Sequence, residues 1–158
     1  MKKINFLIKL KKEGKLRIVE SSEEIKESYI KKSDSNIISS RILLKNDRLE
    51  ESISLAYYSM YHILIALLFK IGIKSENHSA SITLLKEIFD IDNFDISFAK
   101  KERIDKQYYV DFHITKEDVN DLINKSEEFN RKLLDFISKL NNDLINLYRE
   151  KFKELIGF

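Results

Sequence analysis

The amino-acid sequence predicts an all-α protein, an up-and-down antiparallel bundle of four to five main helices with a C-terminal helical extension. The segment 49–71 is apolar at three- and four-residue intervals around most of a helical surface, which is typical of a helix covered on several sides. The chain has no proline and only three glycines, a composition that suits long helices better than a turn-rich β fold. We therefore expect 49–71 to be the central helix of the bundle.

Two helices are predicted before the central one. Residues 4–12 form a short amphipathic helix that ends near Gly14. Ser21 and Glu24 have the spacing of a capping box, so a second helix is expected to begin there and to run to about Lys45.

The second helix has few large apolar side chains in its middle. Two small residues there, Ser33 and Ser40, would permit a close crossing with another helix, and an irregular helix is the alternative. Asp47 and Glu50 offer a further capping box at the start of the central helix, and Gly72 is expected to end it.

The central helix has a second apolar stripe beside the first, made of Tyr58, His62, Ile65 and Phe69. One bundle need not cover both stripes. We therefore expect a homodimer, with the Tyr58/His62/Phe69 flank and the C-terminal extension as candidate contact surfaces.

Two shorter helices should follow the polar loop after Gly72. Asn77 or Ser79 can cap the first of them, and a break is expected at 90–95. The next helix covers about 96–106, followed by an irregular stretch.

The last long helix is expected to begin at Thr115, with Asp118 one turn in. Unbroken to Ile156, it would be roughly 60 Å long at about 1.5 Å per residue, longer than any partner helix. A bend near Asn141 is therefore predicted, which leaves residues 141–156 as the extension.

Composition narrows the class of protein. A chain of 158 residues without an internal linker is expected to be a single domain, 1–158. The absence of cysteine excludes disulfides, thiolate metal sites and cysteine nucleophiles. Lysines interrupt the first residues, so no signal peptide is expected, and the apolar run 63–69 is too short to span a bilayer. We expect a cytoplasmic protein with no membrane contact.

A basic and aromatic group follows residue 99 and is the first candidate site. Its members have the composition of a surface that binds phosphates and stacks bases: Lys100, Lys101, Arg103, Lys106, Tyr108 and Tyr109. The alternative is a solvated helix face, neutralised by Glu102 and Asp105. The net charge of +2 is itself weak support for nucleic-acid binding.

The three histidines have alternative interpretations. His62, with Tyr58 and Tyr61, belongs either to the packed core or to the wall of a cleft. His78 either caps a helix or helps to gather a phosphate at the helix N-terminus, and His113 is equally consistent with an exposed loop. Their spacing does not favour a metal site, and no cofactor motif is present.

The order of these features resembles the HEPN superfamily, in the branch of small prokaryotic proteins encoded beside a minimal nucleotidyltransferase. The matching features are EGKL at 13–16, AYYSMYHILIALL at 56–68, Gly72, His78, and Arg103 before Tyr108. The resemblance covers about residues 7–137. It implies a helical bundle that is commonly a homodimer, and for many members a toxin that cleaves RNA without metal.

The resemblance also implies particular site residues. Such nucleases use an arginine, four to six intervening residues and a histidine, and partner enzymes attach AMP to a nearby tyrosine. Here Arg103 matches the arginine, but Tyr108 stands at the shortest histidine position and Ile104 replaces a usual polar residue. A tyrosine titrates near pH 10, and is a poor general base at neutral pH.

Three functions remain open after this departure. In the first, a toxin–antitoxin effector contacts RNA or a nucleotide around Arg103, with His113 or His78 moving protons if it cleaves. In the second, a non-catalytic dimeric module binds a minimal nucleotidyltransferase and presents Tyr108 or Tyr109. The third is a simple nucleotide-binding protein.

Overall fold

Helix α3 lies at the centre of the molecule, and the other long helices pack around it. The computed structural model describes residues 1–108 and 113–157, without the side chains of residues 107 and 108. Its elements are α1 (Lys2–Lys12), β1 (Leu16–Ile18), α2 (Glu23–Lys45), α3 (Leu49–Ile71), β2 (Ile73–Ser75), α4 (His78–Phe89), α5 (Phe94–Tyr108), α6 (Lys116–Ser138) and α7 (Asn142–Leu155). The predicted all-α class is confirmed.

The central helix has the predicted bounds. It is buried along most of its length, by α2 on one side and by α5 and α6 on others. Gly72 follows it with φ +87°, the left-handed conformation that ends many helices. Of the described helices, α3 is long and apolar enough to cross a bilayer, but 72% of its most apolar window is buried inside the fold. It is therefore explained as a core helix.

Small hydroxyl residues bring α2 close to α3, as predicted. Ser33 Oγ donates to the carbonyl of Ser59 at 2.7 Å. Ser40 Oγ donates to the carbonyl of Ser52 at 2.7 Å, and Ser52 Oγ donates back to the carbonyl of Ser40 at 2.8 Å. These three hydroxyls are buried, and their bonds to backbone carbonyls offset the cost of removing them from water.

A two-stranded sheet was not predicted. β1 and β2 pair antiparallel, with Leu16 opposite Ser75 and Ile18 opposite Ile73. Each strand is three residues long, too short to show an alternating pattern. The pair ties the segment before α2 to the C-terminal end of α3.

Two predicted caps are wrong. Ser22, not Ser21, caps α2, because its Oγ accepts from the backbone N–H of Ile25 at 3.1 Å. Ser21 Oγ donates instead to the carbonyl of Lys70 at 2.6 Å. Asp47 has a positive φ of 59° and makes no cap, and α3 begins after Arg48 without a side-chain cap bond.

The later caps agree with the sequence. Asn77 caps α4, Thr115 and Asp118 form a capping box on α6, and Asn141 caps α7 after the predicted bend. α5 is longer than the predicted 96–106. α7 folds back on the bundle and buries Phe152 in the common core.

Candidate phosphate-binding site

Arg103 lies on the side of α5 that faces α3. Its guanidinium carbon is 4.9 Å from the ring centroid of Tyr58 and 5.6 Å from that of Tyr57. Among the described residues, no carboxylate lies within ion-pair distance of it. Aromatic faces attract a cation without using its N–H donors. The guanidinium is therefore positioned with donors available for an anion.

His78 is the first residue of α4 and faces the same tyrosines. Its Nδ1 lies 2.8 Å from the hydroxyl oxygen of Tyr57, and its ring stacks on Tyr61 with 3.8 Å between centroids. Asn77 caps the helix through its side-chain oxygen, which accepts from Ala80 N–H at 2.9 Å. His78 is thus not the cap, and its ring is fixed by two tyrosines.

Tyr57 and the nearby cations set the protonation state of His78. Tyr57 is fully buried, and burial raises the pKa of its hydroxyl, so this group stays protonated. A protonated hydroxyl can donate to Nδ1 or accept from an Nδ1–H, so this contact is compatible with either tautomer of the neutral imidazole. Burial, together with Arg103 and Lys100, lowers the pKa of His78. At pH 7 it is therefore a neutral ring, with one nitrogen a donor and the other an acceptor.

Lys100 adds a second cation beside His78. Its Nζ lies 2.5 Å from Ser79 Oγ, at the N-terminal turn of α4. The pKa of Lys100 is lowered mainly because burial disfavours the charged form, and secondly because the like charge of Arg103 is close. Two cations and a helix N-terminus that converge in this way favour a bound anion.

His62 lies one helical turn after Tyr58 on α3 and bonds to a different partner. Its Nδ1 is 2.7 Å from Asn36 Oδ1, and its ring lies 6.0 Å from that of Tyr58. Burial, with Lys32 and His78 contributing, lowers the pKa of His62 to about 4. We name this group of side chains the Arg103 cluster: Tyr57, Tyr58, Tyr61, His62, His78, Lys100 and Arg103.

The structure places two of the remaining predicted site residues, Lys106 and His113, away from the cluster. Lys106 is buried against its own helix, with Nζ 3.7 Å from Glu102. His113 is exposed just before α6, and within the described part of the chain no ring contact or hydrogen bond joins it to the Arg103 cluster. The side chain of Tyr108, and all of Tyr109, lie outside the described residues.

A cavity of about 460 Å³ opens beside the cluster, between α4 and α5. Ser79 and Lys100 belong to both its lining and the cluster's edge, whereas Arg103 does not line it. The cavity thus adjoins Lys100 and not the guanidinium of Arg103. We name this cavity the α4–α5 pocket.

Two contributors to the site were missed from the sequence. The three- and four-residue apolar spacing of 49–71 puts Tyr57 on the apolar face of α3, and no local pattern marks Asn36. The run Tyr57, Tyr58, Tyr61 and His62 does carry a pattern, since it places polar ring atoms on adjacent faces of one helix. Within the described residues, no group of three or more His, Asp or Glu side chains is arranged to hold a metal ion.

Comparison with known proteins places this site in a family. A UPF0332 protein of Pyrococcus horikoshii is 44% identical over 62 residues, which are 39% of this chain and 43% of that protein. The chain thus aligns with less than half of that relative. A sequence model of the HEPN domain matches residues 26–139, which contain every residue of the Arg103 cluster. The chain therefore belongs to the HEPN family.

Proposed function

We propose that this chain is the effector half of a toxin–antitoxin or related nucleotidyltransferase pair, and that it takes a phosphate of RNA or of a nucleotide at the Arg103 cluster. The observation that carries the proposal is the position of Arg103. Its guanidinium rests on two tyrosine rings, next to His78 and Lys100, without a described carboxylate to neutralise it.

Binding and cleavage make different demands on these side chains. A phosphate oxygen needs donors, and Arg103, Lys100 and the Nε2–H of His78 are all donors. Cleavage additionally needs a base that removes the proton of a ribose 2′-OH. We assign the Tyr57 hydroxyl as the donor to His78 Nδ1, which puts the hydrogen of the ring on Nε2 and leaves no lone pair there to act as a base. The geometry therefore supports phosphate binding better than catalysis.

The second candidate function follows from the same argument. A non-catalytic HEPN module that binds a minimal nucleotidyltransferase needs no proton-transfer group, only a phosphate or nucleotide contact and a surface for its partner. Tyr108 stands where nuclease members carry histidine, which favours this candidate. A homodimer belongs to both candidates. Within the chain, α2 already packs on the Tyr58/His62/Phe69 flank, since Tyr29 stacks on Phe69 and Asn36 bonds to His62, so the C-terminal extension is the contact surface that we propose.

The primary test measures binding of a labelled single-stranded RNA by fluorescence anisotropy. Arg103→Ala should weaken binding at least tenfold, because a charge-assisted hydrogen bond contributes about 1.5–3 kcal/mol. Arg131→Ala is the matched control, since Arg131 is an exposed arginine on α6 and lies outside the cluster. Equal affinity of the parent and Arg103→Ala would exclude the proposed site.

The same RNA, analysed on a gel, separates the two candidates. Cutting by the parent that is lost in His78→Gln and Arg103→Ala supports the ribonuclease. Background decay in all three supports the non-catalytic module. Co-purification with the product of a neighbouring gene, a mass measurement for added AMP and light scattering then test the nucleotidyltransferase and the dimer.

A further inference from the structure

The α4–α5 pocket continues directly from the Arg103 cluster. Lys100 joins the two, because its ammonium bonds to Ser79 at the N-terminal turn of α4 and also lines the pocket. Ser79 is the neighbour of His78 in sequence. A chain of phosphates bound at the cluster would therefore reach the pocket without crossing another element.

The charge inside the pocket is positive and is not neutralised by local ion pairs. Lys3 from α1, Lys100 and Lys101 line it, against one carboxylate, that of Asp105. Of the carboxylates that the structure describes, none lies within 4 Å of these three ammonium groups. Several other lysines of this chain do pair with a carboxylate one helical turn away.

Such lysine–carboxylate pairs occur at three other helices. Lys86 pairs with Asp90 at 2.6 Å, Lys139 with Asp135 at 2.7 Å, and Lys153 with Glu150 at 2.6 Å. Such exposed pairs contribute little to stability, but they do neutralise local charge. Among the described residues, the three lysines of the pocket have no such carboxylate partner, so their charge is available to a ligand.

The walls of the pocket suit more than a small anion. Ile82 and Ile104 provide apolar surface, and Asn93 is held beside them because its Nδ2 donates to the carbonyl of Ile82 at 3.0 Å. The volume of about 460 Å³ falls within the range of about 300–1,000 Å³ that is common for organic ligands. A base and its sugar fit this combination of an apolar wall, an amide and a carboxylate.

We propose that the α4–α5 pocket is a second nucleotide subsite, which holds the neighbouring nucleotide of the strand whose phosphate lies at the Arg103 cluster. The inference rests on the proposed function and narrows its substrate to an unpaired strand of at least two nucleotides. The phosphate of this nucleotide lies against Lys100 and Lys101. Its base contacts Ile82 and Ile104, which a base within a duplex cannot reach.

The test uses the salt dependence of binding to a single-stranded oligouridine hexamer. Each phosphate neutralised on a single strand contributes a slope of about −0.7 to log K against log salt. The variant Lys3→Ala/Lys101→Ala removes charges of the pocket but leaves the Arg103 cluster intact. We expect its slope to be less steep by about 0.7, one phosphate contact. Lys132→Ala is the control, since Lys132 is exposed on α6 and lines no part of the pocket.

Each outcome separates the pocket from the cluster. Weaker binding by both the pocket variant and Arg103→Ala supports both. Weaker binding by Arg103→Ala alone overturns the subsite and leaves the proposed function intact, and no change in Arg103→Ala overturns the proposed function itself. If free uridine monophosphate competes as well as the hexamer, the pocket binds single nucleotides, and the proposal that it holds part of a strand is overturned.

Discussion

Two arginines of this chain, Arg103 and Arg149, occupy opposite chemical situations. Arg149 on α7 donates through Nη1 to the carbonyl of Val19 at 3.0 Å and to that of Ile71 at 2.9 Å. Arg103 on α5 lies over tyrosine rings, and no hydrogen bond to another described residue uses its donors. The fold therefore uses the donors of Arg149, whereas those of Arg103 remain available.

The two arginines therefore illustrate two roles of one side-chain type, since Arg149 stabilises the fold and Arg103 is placed to bind a ligand. The carbonyl of Ile71 is one of those left without a helical partner at the end of α3, and a cation there also complements the helix dipole. Arg149 thereby fastens α7 to the end of the central helix and to the segment after β1. Arg103 makes no hydrogen bond that joins two described segments, so its position is better explained by a ligand.

The largest expected effect is at Gly72, beside the guanidinium of Arg149. A Cβ at this position would overlap that guanidinium and lie 2.5 Å from the carbonyl oxygen of Val19. The left-handed backbone adds about 1–2 kcal/mol for any residue other than glycine. We expect Gly72→Ala to lower the free energy of unfolding by about 3 kcal/mol or more, measured by urea denaturation.

Gly14 supplies a matched control for this prediction. It also has a positive φ, +72°, but a Cβ there would meet nothing within 4 Å. Gly14→Ala should therefore cost only the backbone term, about 1 kcal/mol. Equal losses at the two glycines would show that the Arg149 contact contributes nothing at Gly72.

The second prediction compares alanine variants of the two arginines. Arg149→Ala should lower the free energy of unfolding by about 2 kcal/mol, because it leaves two partly buried carbonyls without their charged donor. Arg103→Ala should change it by less than about 1 kcal/mol, the usual contribution of an exposed cation–π contact. Chemical denaturation of both variants measures this contrast. A loss at Arg103 as large as that at Arg149 would contradict the assignment of Arg103 to a ligand.

The parts of the fold that the sequence predicted correctly depend on local patterns. The apolar spacing of 49–71 and the glycine after it gave both ends of α3, and small hydroxyl residues predicted its close contact with α2. Thr115 with Asp118, and Asn141, marked helix starts through bonds that span three residues. Each of these features lies within a few residues of the structure that it determines.

The parts that were missed depend on distant partners. β1 pairs with β2 across the whole of α2 and α3, and Ser21 bonds to Lys70 instead of capping its own helix. Nothing local distinguishes Arg149 from an exposed helical arginine, since its acceptors come from two other segments.

In the candidate site, too, local composition predicted some contacts, whereas others depend on partners that it does not reveal. The basic and aromatic composition around Arg103 indicated a phosphate surface, and Lys100 and His78 do lie beside it. Lys106 had the same composition in its favour, but Glu102, one helical turn away, binds it. The apolar pattern of α3 places Tyr57 in the core, where it is fully buried, and its hydroxyl there lies 2.8 Å from Nδ1 of His78.

The smallest expected effect tests that last contact. In the parent, the donor from Tyr57 stabilises neutral His78, so it acts in the same direction as burial and lowers the pKa. Tyr57→Phe removes this donor, and we therefore expect the pKa of His78 to rise and its tautomers to mix. Histidine ¹⁵N chemical shifts followed against pH measure both quantities. Tyr148→Phe is the control, because that ring packs on Phe89 and Phe136 without a hydrogen bond to a described residue. A parent His78 with its hydrogen on Nδ1 at pH 7 would reverse the argument, since Nε2 would then be a base and the ribonuclease would become the better-supported function.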